Sequence, residues 1–568
     1  MKVMNFSSAN CKNCYKCVRI CNVKAIEVKN DQAQIIENRC VACGQCLVVC
    51  PQNARDVLSD IENVKVALKK KKKVIAQIAP AFKGFFQYSA KVITALYKLG
   101  FSSVEEVSIG AELVSLEYEN IINNSKNTEF LTSCCPSVMM LIEKYYPELI
   151  PNVIPVVSPM IAHAMSIRQR YEDPYIVFIG PCISKKCEAL SEENIGVVDA
   201  VLTFDEIVKW LKLEGIDYNS CEDGSMDFTG TTRGDCYPVV GGILRAISPT
   251  LKAKSLDSIR VHGIENCKNL LEEVKKGNLS KVCVELSACN ESCLGGPGGS
   301  TSNESVYTRI QRIQRQVKKL NNEKYLDISK FNVPLSRTFK NKMMDLHIPK
   351  EEEINQILNK MGKYDKEDEL NCGACGYNTC YEKAIAVSQG MSQIEMCVPY
   401  MRSMAERTTN EIFTHSPNVI LFLDKTLTVK EINPIGEKLF SMTKEELRDK
   451  HISCVVQDPD FQWVANTKQS MIKEKVFYRE YNYHAYRSII YMEKHSSLLV
   501  IYTDITEEEK RKLELSQLKH NALDVTQSII DKQMRVAQEI ASLLGETTAE
   551  TKVALMKLKK VLQEEKEV

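Results

Sequence analysis

The sequence predicts a multidomain protein that combines α+β and α/β parts. The chain has 568 residues, which is about four times the length of a typical domain. Its 23 cysteines are clustered, and strand and helix patterns alternate from Val74 onward, through the second cluster. The chain ends in a helical tail without cysteine. We therefore divide it into residues 1–60, 70–350, 360–402, 410–507 and 508–568.

The charge balance and hydropathy exclude some partners. Lys plus Arg total 74 and Asp plus Glu total 73, a formal charge of +1, so no overall field favours nucleic acid. The sequence has no apolar run of about 20 residues that would span a bilayer. The opening segment MKVMNFSSAN lacks the pattern of a secretory signal. We expect a cytoplasmic protein with neither a nucleic acid nor a membrane partner.

The first cysteine cluster has the spacing of an iron-sulfur motif repeated twice. Each run places three cysteines at x2-x2 spacing and a fourth after x3. Three such thiolates hold one cluster, and the fourth cysteine ligates the other cluster. We predict one [4Fe-4S] cluster on Cys11, Cys14, Cys17 and Cys50, and a second on Cys40, Cys43, Cys46 and Cys21. Zinc sites are the disfavoured alternative.

Residues 1–60 resemble a bacterial-type ferredoxin. Short strands are predicted at residues 25–28 and 33–36, on either side of the turn Asn30-Asp31. Asn22 follows Cys21 where the motif usually has proline, which leaves the ligand pattern intact. So short a segment has little core, and we expect bound metal to stabilise it.

Residues 70–350 alternate strands and helices, which predicts an α/β domain. Buried strands are expected at 73–78, 175–179, 259–264 and 281–286, with helices at 205–213 and 267–276. The cysteine-bearing segments TSCCP (132–136), GPCISKKCE (180–188) and ELSACNESCLGG (285–296) lie at or just after strand ends. Loops at the carboxyl ends of such strands bind ligands.

These segments resemble the signature loops TSCCPxW, MPCxxKxxE and ExMACxxGCxxGGG of the FeFe hydrogenases. The resemblance covers about residues 70–300 and implies a two-lobed α/β catalytic domain. The family carries an H-cluster, a [4Fe-4S] cubane joined to a diiron unit with CO, cyanide and azadithiolate ligands. The resemblance implies cubane ligands at Cys135, Cys182, Cys289 and Cys293, with Cys293 bridging to the diiron unit.

The resemblance also implies roles for residues around the diiron unit. Cys134 matches the proton-relay thiol, and proton exchange near such a site requires a group that does not bind the metal. Lys185 matches a lysine that donates to a cyanide ligand. The alternatives are a buried unreactive thiol and a solvated lysine, like the neighbouring Lys186. The remaining cofactor-binding positions are Pro181, Ser158, Met160 and Ser287.

Several positions depart from the family pattern. Met160 stands where the family usually has glutamine, Gly180 and Ser287 stand where it has methionine, and Val138 stands where it has tryptophan. Ile154 and Ala81 replace serines that are common along the family's proton route. A methyl group cannot relay a proton, so we expect slow turnover. Glu117 is a candidate for a retained carboxylate. We assign no ligand role to Cys187, Cys221, Cys236, Cys267 and Cys283, and expect small buried side chains.

Two further segments follow the catalytic domain. Residues 307–320 form a basic amphipathic stretch, for which a solvated helix is favoured over one that closes on the catalytic domain. Cysteines at x2, x4 and x16 spacing then predict a third [4Fe-4S] cluster in a small domain, with zinc as the disfavoured alternative. Its ligands are Cys372, Cys375, Cys380 and Cys397.

The last two parts resemble sensory modules. Strands at 419–423 and 427–432, helices at 437–440 and 444–448, and three strands ending at 498–504 have the order of a PAS domain. Asn433-Pro434 and Asp504-Ile-Thr506 agree with this resemblance. Residues 508–568 predict a signalling helix. A coiled coil in a homodimer and a helix folded back on its own domain both remain open.

This order of parts supports two main functional hypotheses. The favoured one is a sensory hydrogenase that reacts with dihydrogen and protons and signals through the PAS domain to a kinase or phosphatase. The alternative is a metabolic hydrogenase that exchanges electrons with ferredoxin or another redox carrier. A hydrogenase-like assembly factor without a diiron unit is disfavoured because Cys134, Lys185 and the cubane cysteines are present.

Overall fold

A computed structural model of the protein describes residues 3–6, 10–30, 32–230, 232–299, 304–317, 331–345, 347–493, 496–543 and 548–564. The fold separates into two units, Met1–Met401 and Arg402–Val568, and each is described by itself. The finer division into five parts stays a prediction.

The first module of the amino-terminal unit contains two small antiparallel sheets. Strand β1 pairs with β4, and β2 pairs with β3. The predicted strand pair around Asn30 is thereby confirmed, with each strand displaced by a residue. The elements are β1 Met4–Phe6, α1 Lys16–Ile20, β2 Ile26–Lys29, β3 Gln32–Ile35, α2 Gln45–Val48 and β4 Arg55–Val57.

The catalytic region is built on two parallel sheets, in agreement with the predicted two-lobed α/β domain. The first sheet has the order β6-β5-β8-β9 and the second β10-β11-β7. The elements are α3 Ile61–Lys69, β5 Val74–Ile78, α4 Phe82–Phe85, α5 Ser89–Lys98, β6 Ser103–Glu106, α6 Ser108–Asn124, β7 Glu129–Leu131, α7 Pro136–Tyr145, α8 Pro159–Arg170, β8 Tyr175–Gly180, α9 Ser184–Ala189, β9 Ala200–Thr203, α10 Phe204–Leu213, α11 Thr232–Asp235, α12 Gly242–Ala246, α13 Ser248–Ala253, β10 Asp257–His262, α14 Ile264–Lys275, β11 Val282–Ser287 and α15 Val306–Val317.

Helix α15 packs on the catalytic region, so the expectation of a solvated helix was wrong. Ile313 is buried in the main core, and Arg309 donates to the carbonyls of Leu294 (3.0 Å) and Gly299 (3.3 Å). Arg312 donates to the carbonyl of Gly84 at 2.6 Å. The arginines therefore connect α15 to backbone acceptors in the segment after β11 and in α4. Residues 318–320 of the predicted stretch lie outside the described residues.

The segment after the catalytic region carries the third group of cysteines. Its elements are α16 Glu351–Lys360, α17 Cys380–Ser388 and α18 Val398–His415, the last of which crosses the boundary between the two units. Thr379 caps α17 by accepting a hydrogen bond from the Glu382 backbone N–H. This cap fixes the start of α17 at Cys380.

The second unit contains an antiparallel sheet with the order β13-β12-β16-β15-β14. The predicted strands are observed, and helix α21 was missed although Asp458 and Pro459 are a strong helix start. The elements are β12 Val419–Leu423, β13 Val429–Ile432, α19 Pro434–Phe440, α20 Lys444–Leu447, α21 Pro459–Thr467, β14 Met471–Tyr478, β15 Tyr483–Met492, β16 Ser497–Asp504, α22 Thr506–Leu543 and α23 Thr548–Glu564. Within the described ranges, every helix is too short or too polar to cross a membrane.

Candidate metal centre

A cavity of about 120 Å³ lies at the carboxyl ends of strands from both parallel sheets of the catalytic region. Loops after β5, β7 and β8, together with the end of β11 and the loop that follows it, line it. All three signature segments contribute cysteines to it, although they are far apart in the sequence. The predicted site residues on its wall are Cys134, Cys135, Met160, Pro181, Cys182, Lys185, Ser287, Cys289 and Cys293. We call this cavity the H-site.

All four predicted cubane cysteines line the H-site; three of them are partly buried and Cys293 is exposed. Burial raises the pKa of Cys135 and Cys289, and raises that of Cys293 to about 12. Each of these thiols also interacts electrostatically with Cys182. No three His, Cys, Asp or Glu side chains in the described ranges are placed to hold a single metal ion. Thiols that surround a cavity, rather than converging on a single metal ion, fit the ligands of a multi-iron cluster.

Cys134 is linked to a buried chain of hydroxyl groups. Its sulfur lies 3.3 Å from the Tyr118 hydroxyl, which lies 2.9 Å from the Ser133 hydroxyl. Ser133 commits its hydroxyl hydrogen to the Val156 carbonyl at 2.7 Å. Tyr118 therefore donates to Ser133, and the Cys134 thiol donates to Tyr118. Burial raises the pKa of Cys134 to about 12, and a hydrogen bond donated by Tyr118 to the deprotonated sulfur opposes this rise.

Lys185 lines the H-site, and its ammonium is positioned by Glu188. Its ammonium donates to Glu188 Oε2 at 2.7 Å, and the Ser158 hydroxyl donates to the same oxygen at 3.0 Å. Arg337 binds the other carboxylate oxygen at 3.2 Å. Ser158 is absent from the described residues that line the cavity. The structure thus gives Ser158 a contact to Glu188, and its predicted contact with a cofactor stays a prediction.

Lys186 is not the solvated lysine that the sequence suggests. It is only 3% exposed, and its ammonium lies 3.2 Å from Glu206 and 3.6 Å from Asp60. It also donates to the Val201 carbonyl. Lys185 and Lys186 are therefore both buried, but only Lys185 lines the H-site.

The departures from the family pattern reshape the wall of the H-site. A Cβ at Gly180 would lie 2.7 Å from the Phe178 ring, which fills this space and lines the cavity. Met160 is fully buried in the wall. Val138 and Ile154 are buried in the cores of the catalytic region. In the cavity wall, Met160 therefore puts an apolar side chain where the family pattern has a polar one, and Ser287 does the reverse.

Glu117 is not placed to serve the H-site. It accepts a hydrogen bond from Asn120 at 3.4 Å and is absent from the described lining residues. The cavity instead contains Glu285, which accepts from the backbone N–H groups of Gly241 (2.7 Å) and Ile243 (2.9 Å). Burial raises the pKa of Glu285, and these hydrogen bonds oppose the rise. Sequence reasoning missed Glu285, although it begins the ELSAC segment.

Four of the other five cysteines without an assigned role are buried, as expected. These are Cys221, Cys236, Cys267 and Cys283. Cys187 is partly exposed and lines a separate cavity of about 710 Å³ together with Cys40.

The amino-terminal module brings together one of its two predicted cysteine sets. Burial raises the pKa of Cys43, and Cys21, Cys46 and Cys40 add to this rise through their charges. Backbone N–H groups of Ala25 and Ala42 donate to the Cys21 and Cys40 sulfurs at 3.2 and 3.3 Å. Cys43 also lies within electrostatic range of Cys289 in the H-site. The set Cys11, Cys14, Cys17 and Cys50 stays a prediction.

All four cysteines of the third predicted cluster line one small cavity, which we call the third site. The lining includes Cys372, Cys375, Cys380 and Cys397. Lys383 also lines it, and burial lowers the pKa of this lysine to about 8 against the opposing charges of Cys375 and Cys397. Its ammonium donates to the Gln393 carbonyl at 2.6 Å. Sequence reasoning missed this buried positive charge.

Comparison with protein families agrees with this geometry. Residues 72–297 match the family described as "Iron only hydrogenase large subunit, C-terminal domain". Residues 10–54 match a 4Fe-4S dicluster domain, and residues 368–399 match an Fe-S cluster family. The chain therefore contains an FeFe-hydrogenase-like large-subunit domain and 4Fe-4S domains, which support iron-sulfur cofactors.

Relatives of two kinds match the chain. Iron hydrogenase 1 of Clostridium pasteurianum is 27% identical over 52% of this chain and 65% of its own length. The cytosolic Fe-S cluster assembly factor narfl of Xenopus tropicalis is 22% identical over 50% of this chain and 76% of its own. The chain thus spans less than two thirds of that hydrogenase and is homologous to both hydrogenases and NAR1 proteins.

Two solved structures also align with parts of the chain. A variant of the [FeFe]-hydrogenase HydA1 from Chlamydomonas reinhardtii is 20% identical, covers 50% of this chain and 100% of its own, and has a TM-score of 0.40. The PAS domain of nitrogen regulation protein NR(II) from Vibrio parahaemolyticus is 20% identical and covers 17% of this chain and 97% of its own, with a TM-score of 0.15.

Proposed function

We propose that the chain is a sensory FeFe hydrogenase that reacts reversibly with dihydrogen, H2 = 2H+ + 2e−. The observation that carries this proposal is the composition of the H-site. One cavity contains the thiols of Cys135, Cys182, Cys289 and Cys293 together with Cys134 and Lys185. A cluster-binding protein without hydrogen chemistry has no evident need for the last two residues in that cavity.

In this proposal, some H-site residues bind the cofactor and others exchange a proton. When bound, the H-cluster supplies the diiron unit, with its CO, cyanide and azadithiolate ligands, at which dihydrogen is split. The four cysteines would hold its cubane as thiolates, and Lys185 would donate a charge-assisted hydrogen bond to a cyanide ligand. Cys134 takes up and returns a proton, and Tyr118 orients its thiol through their 3.3 Å contact.

The sensory part of the proposal is supported by the carboxyl-terminal unit. Its strand order β13-β12-β16-β15-β14 is the order expected of a PAS domain. Helix α22 then exposes apolar residues at spacings of three, four and seven, which is the seam of a coiled coil. The exposed seam residues are Leu515, Leu518, Val525 and Ile529. We infer a homodimer through this seam and a cytoplasmic kinase or phosphatase as the receiver of the signal.

Infrared spectroscopy and dihydrogen turnover test the catalytic proposal together. The anaerobic protein is loaded with the diiron unit, and the CO and cyanide bands are recorded with and without dihydrogen. Bands that shift under dihydrogen, with slow turnover per diiron site, agree with a sensory hydrogenase. Fast turnover supports a metabolic, ferredoxin-linked hydrogenase. If no bands form, the chain is grouped with the assembly factors to which it is also similar.

A charge substitution on α22 tests the proposed dimer. Leu518→Glu places a charge on the seam, and light scattering of the full chain should report a change from dimer to monomer. Leu513→Glu is the matched control because Leu513 is 63% exposed but lies off the seam. A monomeric parent chain, or equal dissociation by the control, contradicts the dimer.

A further inference from the structure

The third-site segment packs directly on the amino-terminal module. The Lys24 ammonium donates to the Gly376 carbonyl at 2.7 Å, and the Val28 N–H donates to the Met391 carbonyl at 3.3 Å. Buried residues of both segments form one apolar cluster, which includes Val28 and Tyr377. The contact therefore combines apolar packing with hydrogen bonds between segments that are far apart in the sequence.

Gly376 makes the approach of the two backbones possible. It follows Cys375 and has a φ of +94°, which favours glycine. A Cβ at this position would lie 2.7 Å from the Val18 side chain in helix α1. The loop that carries Cys375 therefore packs closely on the amino-terminal module, and the Gly376 carbonyl faces Lys24.

Lys24 is fixed to the loop of Cys21 as well. The Lys24 N–H donates to the Cys21 carbonyl at 3.0 Å. Its ammonium is partly buried, and burial lowers the pKa of Lys24 while the charges of Cys21, Glu382 and Cys375 oppose this. Cys21 and Cys375 belong to two different predicted clusters. One lysine therefore lies within electrostatic range of a ligand from each.

We propose that Lys24 is a residue shared by two iron-sulfur sites, the one that includes Cys21 and the third site. It joins their loops through the Gly376 carbonyl and favours the reduced, more negative state of both sites through its charge. The inference rests on the proposed iron-sulfur assignments but not on the diiron unit. It also implies that the two sites respond together to a change at this junction.

Redox titration of the full, anaerobically reconstituted chain, followed by electron paramagnetic resonance, tests the proposal. Lys24→Gln removes the charge but keeps a donor for Gly376, and Lys24→Arg keeps both. We expect Lys24→Gln to lower the reduction potentials of two clusters together. A tenfold change in the equilibrium constant for one-electron reduction of a cluster corresponds to about 59 mV. Lys24→Arg should restore both potentials. A Cys380→Ser variant identifies the third-site signal.

Lys29→Gln is the matched control. Lys29 lies in the same module, and its side chain is 56% exposed and pairs with Glu27 at 2.7 Å, so solvent screens its charge. A shift of only one cluster, no shift, or an equal shift in the control overturns the proposal. If Lys24→Gln loses iron, Gly376→Ala serves instead, because its Cβ should separate the loops and change the third-site potential. An unchanged potential in that variant also overturns the proposal.

This outcome is separable from that of the proposed function. Paired shifts of potential without CO and cyanide bands would leave the shared lysine intact and remove the hydrogenase. CO and cyanide bands that respond to dihydrogen, without paired shifts of the two potentials, would support the hydrogenase and exclude the shared lysine.

Discussion

The H-site and the third site both gather four thiols, but they draw on very different lengths of chain. The predicted ligands of the third site lie within residues 372–397, whereas those of the H-site extend from 135 to 293 and follow strands of both parallel sheets. A local site depends on its own turns and one helix cap. The H-site depends on the packing of an entire domain, which also places Cys134 and Lys185 beside the four cysteines.

Removal of one ligand from each site should have the largest and most selective effects. Cys289→Ser should abolish the CO and cyanide bands of the loaded protein and leave the third-site signal present. Cys380→Ser should do the opposite. Infrared and paramagnetic resonance spectra of both variants check this prediction. Cys267→Ser is the control, because Cys267 is buried without an assigned ligand role, and loss of the bands in that variant would contradict the assignment.

The adjacent lysines Lys185 and Lys186 separate cofactor retention from stability. Lys185→Met should prevent stable binding of the diiron unit, because Lys185 alone of the two lines the H-site. Lys186→Met should retain the bands but lower the free energy of unfolding by about 3 kcal/mol, since it removes the cation that pairs with the carboxylate of Glu206. Infrared spectra and denaturant unfolding measure the two effects. Equal band loss in both variants would refute the distinction.

Tyr118→Phe should slow proton exchange without loss of the cofactor. The Cys134 thiol loses its acceptor, and a lost hydrogen bond of about 1.4 kcal/mol corresponds to a tenfold slower rate. Hydrogen–deuterium exchange between dihydrogen and D2O, measured across pH, reports the change. The control is Tyr237→Phe, whose hydroxyl lies 2.7 Å from Ser115. The role of Tyr118 is not supported if both variants have the same pH profile.

The smallest expected effect concerns helix α15, which supports the H-site from outside. Arg309→Met removes the donors to the carbonyls of Leu294 and Gly299. Loss of about 1.4 kcal/mol should make amide exchange of residues 294–299 about tenfold faster and leave residues 372–397 unchanged. Exchange followed by mass spectrometry checks this. Arg315→Met, at an exposed position of the same helix, should change neither segment.

Local spacing made much of the protein predictable. The x2-x2-x3 and x2-x4-x16 cysteine patterns, the strands around Asn30 and the strands of the second unit depend on residues close in sequence. Asp458 and Pro459 also indicate the start of helix α21, which the sequence analysis did not predict. By contrast, Tyr118 carried no local signal for its contact with Cys134, whereas Glu285 stands at the first position of the ELSAC segment and was overlooked.

By itself, the sequence determined which residue types were available: thiols at cluster spacing, three cysteine segments at or after strand ends, and an apolar seam in the last helices. Only the tertiary structure decided which of them meet. It distinguished Lys185 from Lys186, packed α15 against the catalytic region and brought the Lys24 ammonium to the Gly376 carbonyl. Each of these outcomes depends on burial and contacts between distant segments, which short-range periodicity does not encode.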